Sequence, residues 1–174
     1  MKTSNSHSSF IKELSIALPT SSAQQRNAWA AIIVEEKMSL RKLSDLLFLE
    51  NKVASRFLWL LTGIGELDNQ KLMDELVFLF DRCIPLDHIK IEASFANYWL
   101  ICGVPVEKEA EYIDCLFKWL NSSESNMTTK SRSLFVLFKL TKKYPDMCNE
   151  LKLVIHEQLD RNTADFKKRA NKIL

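Results

Sequence analysis

Ala54-x-x-Phe57-Leu58, Ala93-x-x-Ala96-Asn97, Ser133-x-x-Val136-Leu137 and Ala170-x-x-Ile173-Leu174 spell one pattern, recurring at roughly 40 residues. The register holds beyond the small leading residue. Trp59, Tyr98 and Phe138 occupy one aromatic position, Leu61, Leu100 and Leu140 one leucine position, and Pro105 corresponds to Pro145. A small residue ahead of large apolar ones suits a helix that lets a neighbouring backbone come close. The prolines mark stops, because they lack the N–H that a continuing helix needs. The strongest copy is Thr128–Lys143, where Leu134, Leu137, Phe138 and Thr141 fall at helical spacing and Val136 and Leu140 widen the stripe.

Two helices per unit at this period are the signature of an α-solenoid. Over residues 50–174 the repeated positions resemble HEAT repeats of the armadillo-like superfamily. The resemblance implies an all-α fold, an α-α superhelix made as a HEAT-like solenoid of antiparallel helix pairs. It is nearly silent on chemistry, since the matched positions are packing positions. No run of alternating apolar and polar residues flanked by turns is present, so no β-sheet is expected. Residues 10–174 are expected to form a single helical-repeat domain, with 10–49 an atypical N-terminal cap and 50–174 the regular helix pairs. Residues 1–9 are polar and expected to be disordered or frayed.

Local signals place the helices. A first short one should end before Pro19, and Ser21 or Ser22 with Gln24 or Gln25 offers a capping box for the next, which should bury Trp29, Ile32 and Ile33. Leu40, Leu43, Leu46 and Leu47 should point inward from a helix over 39–49. Gly63 and Gly65 are expected to end a helix begun at Asn51. Asp68 should cap a helix over 69–83 that buries Leu72, Leu76, Leu79 and Phe80, and further helices are expected over 87–102, 107–121, 146–159 and 163–174.

The formal net charge of +2 conceals an asymmetry: residues 1–127 hold 13 basic and 17 acidic side chains, residues 128–174 hold 11 and 5. A basic final third can meet an acidic partner, nucleic acid included, or can simply be a solvated face. Cys83, Cys102, Cys115 and Cys148 are widely spaced and form no CxxC. No secretory apolar segment precedes them, and no apolar run reaches the roughly 18 residues of a membrane span. They read as reduced, buried thiols of a cytoplasmic protein.

Catalytic patterns are missing from the sequence. His7, His88 and His156 are far apart and belong to no metal-ligand motif. There is no G-x-S-x-G, and Gly63-Ile64-Gly65 lacks the spacing of a phosphate cradle. Ser122-Ser123 with Met127 and Lys130 is faintly similar to the flexible loop of the fumarase, aspartase and adenylosuccinate lyase superfamily. The spacing differs, and the chain is too short for that family's central helices. No enzyme activity, cofactor or metal is therefore expected.

Stacked helix pairs offer a curved surface without pocket chemistry. The expected function is a non-enzymatic helical-repeat scaffold binding a protein partner, an acidic one, through Arg132, Lys139, Lys143, Lys168, Arg169 and Lys172. The alternative is a nucleic-acid-binding HEAT-like protein related to the alkylpurine DNA glycosylases, which use an Asp beside aromatic residues on a basic concave face. Asp114 with Trp119, or Glu92 with Trp99, are the nearest counterparts, and neither reproduces a motif of that family. A regulator or capping piece of a larger assembly is a third possibility. Trp59, Tyr98 and Phe138 are expected in the core, and Trp99 and Trp119 partly exposed.

Overall fold

The computed structural model describes residues 2–160 and 163–174, with the side chains of residues 8–160, 163, 164 and 166–174. The fold is all-α, and no strand occurs among the described residues. The chain divides into two compact units, Met1–Ser94 and Phe95–Leu174.

The first unit opens with α1, Lys2–Ala17, and a 3-10 turn, Leu18–Thr20, entered through Pro19. The helix includes residues 2–9; Met1 lies outside the described residues. Once a turn has nucleated, each added residue brings a backbone bond for one residue fixed, so a polar segment can extend a helix already formed. Next comes α2, Ala23–Glu35, whose capping box is made by Ser22 and Gln25. Gln25 N donates to Ser22 Oγ at 3.2 Å, and Ser22 N donates to Gln25 Oε1 at 2.8 Å. Ile33 is buried as expected, whereas Trp29 is half-buried and Ile32 is exposed.

A short α3, Leu40–Leu43, passes into a 3-10 segment, Ser44–Phe48, and the four expected leucines are all buried. Then α4, Asn51–Leu67, runs straight through both glycines. Gly63 is not a cap. A Cβ built there would meet Ala30 Cβ at 3.2 Å and Asn27 Oδ1 at 3.3 Å. The missing side chain therefore serves the close approach of α4 to α2, its main partner. The buried face of α4 is thus covered by a helix from residues 10–49.

The expected helix over 69–83 is two, α5, Asn69–Met73, and α6, Leu76–Cys83. Asp68 caps α5 by accepting from Lys71 N at 3.0 Å. At the break, Glu75 accepts from Arg41 Nε at 2.7 Å. Residues 84–91 stay non-helical, so α7 begins not at Asp87 but at Glu92 and runs to Cys102. Here the Asn51 side-chain amide donates to the His88 carbonyl, and His88 Nε2 lies 3.2 Å from Leu47 O. The division between the units falls within the first turn of α7.

The second unit takes in most of α7, a 3-10 turn at Val106–Lys108, then α8, Glu109–Asn121, and α9, Met127–Leu140. Asn126 Oδ1 caps α9 by accepting from Thr129 N at 2.9 Å. After it come α10, Met147–Leu159, and α11, Ala164–Ala170, capped by Thr163 Oγ1. Asp146 precedes α10 as expected but makes no capping bond. The principal packing is α8 on α9, with α11 also lying on α9.

The core of this unit is aromatic. Trp99 stacks on Tyr112 with centroids 4.6 Å apart and on Trp119 at 5.4 Å. Both tryptophans are buried, not partly exposed as expected, because each fills the space beside another flat ring. The reverse holds for Trp59, expected in the core: it is 51% exposed. Tyr98 is fully buried and Phe138 half-buried, so the three aligned aromatics have three different environments.

Leu137 is fully buried. Leu137→Ala should cost about 2–5 kcal/mol in denaturant unfolding. Gly63→Leu should cost at least about 1–3 kcal/mol by forcing α2 and α4 apart, despite leucine's better helix propensity. A neutral or stabilising Gly63→Leu would refute the close approach.

Candidate interaction surface

The six basic residues singled out in the sequence lie on two helices that pack on each other, α9 and α11, or in the turns that follow them. Lys168 and Arg169 lie in the last turn of α11, where cations complement the carbonyl end of the helix. Lys172 follows in the next turn.

Their circumstances differ. Lys168 and Lys172 are exposed, and their side chains make no hydrogen bond or ion pair among the described residues. Arg169 is exposed, with its guanidinium 5.9 Å from the Phe135 ring centroid. Lys139 Nζ donates to Leu100 O at 3.0 Å, closing a carbonyl near the end of α7. Arg132 is half-buried, and burial pulls its pKa down against the opposing influence of Tyr98.

Lys143 has an internal role. Its Nζ donates to Glu109 Oε2 at 2.6 Å, and the Tyr144 hydroxyl donates to the same oxygen. Glu109 is 8% exposed. Burial alone would raise its pKa, but the hydrogen bonds from Lys143 and Tyr144 and the lysine charge bring it below the ordinary carboxylate value. Lys143 is shifted up by the same contacts, the bond to Glu109 foremost. This ties the start of α8 to the end of α9. From the sequence Glu109 shows only as one acid in a helix's first turns; nothing local points to Lys143.

Lys130 is a second cation with an internal role. It is buried, and its Nζ donates to Gln158 Oε1 at 3.0 Å, with Gln158 itself buried on α10. No sequence signal distinguishes Lys130 from the exposed lysines Lys168 and Lys172. Two acidic candidates can also be placed: Asp114 is exposed on α8 while Trp119 is buried, and Glu92 is half-buried in the first turn of α7.

Among the described residues no group of three or more His, Cys, Asp or Glu could hold a metal ion. His156 is exposed on α10, and the side chain of His7 lies outside those described. The thiols are free. Burial pushes Cys83 up to about 12 and Cys102 up to about 11. At neutral pH neither is a thiolate nucleophile. A cleft of ≈ 430 Å³ in the first unit is lined by Ile11, Leu46 and Leu49 with Lys12, Lys42 and Asp45. Asp45 already accepts from Arg82 at 2.8 Å. No helix among the described residues is long and apolar enough to cross a membrane.

No protein-family model matches the chain, and neither does any curated protein or solved structure.

Because the folded pKa of Glu109 is depressed, its pairing stabilises the protein above the unfolded carboxylate value and is lost as pH falls through the folded one. The melting temperature should drop more steeply below about pH 4–5 in the wild type than in Glu109→Gln. Parallel pH profiles for the two proteins would show that the bond to Lys143 adds nothing.

Proposed function

We propose that the protein is a non-enzymatic helical scaffold in the cytoplasm, a HEAT-like series of helix pairs, and that it binds an acidic protein partner through α9 and α11. The observation that carries this reading is the contrast among the lysines of the second unit. Lys130 and Lys143 are taken up by Gln158 and Glu109, whereas Lys168 and Lys172 stand exposed beside Arg169. Cations with no internal partner cost the fold nothing when a ligand engages them, and they bring an opposite charge in quickly. Arg132 and Lys139 extend the basic surface along α9. Lys143 contributes its positive field while bound to Glu109.

A polyanionic nucleic acid could use the same charges, with a characteristic dependence on salt. The two readings separate in one titration series. Labelled poly-L-glutamate and a labelled DNA duplex are titrated with the full chain at about 50 and about 200 mM salt. Poly-L-glutamate should bind more tightly than duplex at equal charge. Lys168→Glu with Lys172→Glu should weaken it by about tenfold or more with little change in melting temperature. Unchanged binding by the double variant, or tighter binding of the duplex, would overturn the proposal.

A further inference from the structure

The first unit carries a second group of cations, organised around an indole. On α4, Arg56 and Trp59 lie one turn apart on one face. From α2, Arg26 reaches the same ring. The Arg56 guanidinium is 4.3 Å from the Trp59 ring centroid, and that of Arg26 is 5.1 Å away. The indole nevertheless stays 51% exposed, although it is the bulkiest of the exposed apolar side chains. Arg26 is 8% exposed; its Nη1 donates to Ser21 O at 2.7 Å and to Ser21 Oγ at 3.1 Å.

Among the described residues neither arginine pairs with a carboxylate. The comparison within the same unit is direct. Arg41 lies over Phe78 and pairs with Glu75 at 2.7 Å, and Arg82 lies over Phe48 and pairs with Asp45 at 2.8 Å. Arg26 and Arg56 make no ion pair among the described residues. They face each other instead, and desolvation together with the Arg56 charge lowers the pKa of Arg26. Two like charges on one ring, one of them buried, are an unfavourable arrangement until an anion joins them.

The surroundings indicate which anion. Residues 1–94 contain 11 basic and 12 acidic side chains, so the unit has no positive field to draw in a polyanion. Trp and Arg are the side chains that most often dominate protein–protein contacts, where an indole takes an apolar group and a guanidinium takes a carboxylate. We propose that Arg26, Trp59 and Arg56 form a recognition spot for a protein segment that carries a carboxylate next to an aliphatic or aromatic side chain. The carboxylate binds between the two guanidiniums, and the apolar neighbour covers the open part of the indole. The inference rests on the first unit alone and does not require the surface on α9 and α11.

The test uses a fluorescein-labelled peptide of alternating Glu and Leu, titrated with the full chain, with its Arg56→Gln and Arg56→Lys variants, and with the Lys168→Glu, Lys172→Glu double variant. Arg56→Gln should weaken binding by about tenfold, the range of a contact that dominates an interface. Arg56→Lys should restore only part of it, because an ammonium lacks the planar fork. Arg56→Gln added to the double variant should weaken its binding by the same factor, whether or not the α9–α11 surface also binds. Binding unaffected by both Arg56 variants would overturn the proposal. So would tighter, Arg56-dependent binding of oligodeoxythymidylate, or displacement of the peptide by inorganic phosphate alone. Far-ultraviolet circular dichroism checks that each variant is folded, and the lysine variant keeps the test decisive should the glutamine variant not be.

Discussion

Among the described residues there is no sheet to lie on, so each apolar helix stripe must be covered by other helices. That constraint governs both units. In the first, α4 has apolar residues around much of its length, from Val53 to Ile64, and finds its main cover in α2. The two helices come close because the contact is built from Ala30 and Gly63, which have almost no side chain to separate them. In the second, α9 lies between α8 and α11 and buries Leu134, Val136 and Leu137. Ser133 is buried there too, a small residue where helices meet.

Close helix packing also sorts the charges. A charged side chain drawn toward a core has to find a partner, since an uncompensated buried charge is strongly unfavourable. Glu109 has Lys143 and Tyr144, and Lys130 has Gln158. These residues tie α8 to α9 and α9 to α10. Lys168 and Lys172 do none of this. Lys168 and Lys172, at the centre of the surface proposed for a partner, are thus among the cations of the basic third that the fold leaves unused.

Short-range features were the most legible in the sequence. A capping box and the Asp68 cap depend on residues three apart; of the alternatives Ser21 or Ser22 with Gln24 or Gln25, the Ser22–Gln25 box forms, and so does the Asp68 cap. Buried stripes with regular spacing, such as Leu72, Leu76, Leu79 and Phe80, were equally clear. The misreadings came from residues whose meaning depends on distant neighbours. Glycine serves a helix end and a helix crossing alike, and only Ala30 tells which applies at Gly63. Trp59 and Tyr98 share a repeat position, yet one sits under two arginines at the surface and the other is fully buried. Of the candidate surface, the six residues were legible as a basic cluster in sequence. That α9 and α11 pack together, and that Lys143 is held by an acid on α8, depends on tertiary contacts no local pattern encodes.

The central claim is a division of labour among cations, between those that hold helices together and those left to a partner. Amine-reactive labelling of the folded full chain, read lysine by lysine by mass spectrometry, addresses it directly. Lys168 and Lys172 should react at the rate of an unstructured lysine, and Lys130 should remain protected until the protein unfolds. Rapid labelling of Lys130, or protection of Lys168 and Lys172 in the isolated chain, would contradict it.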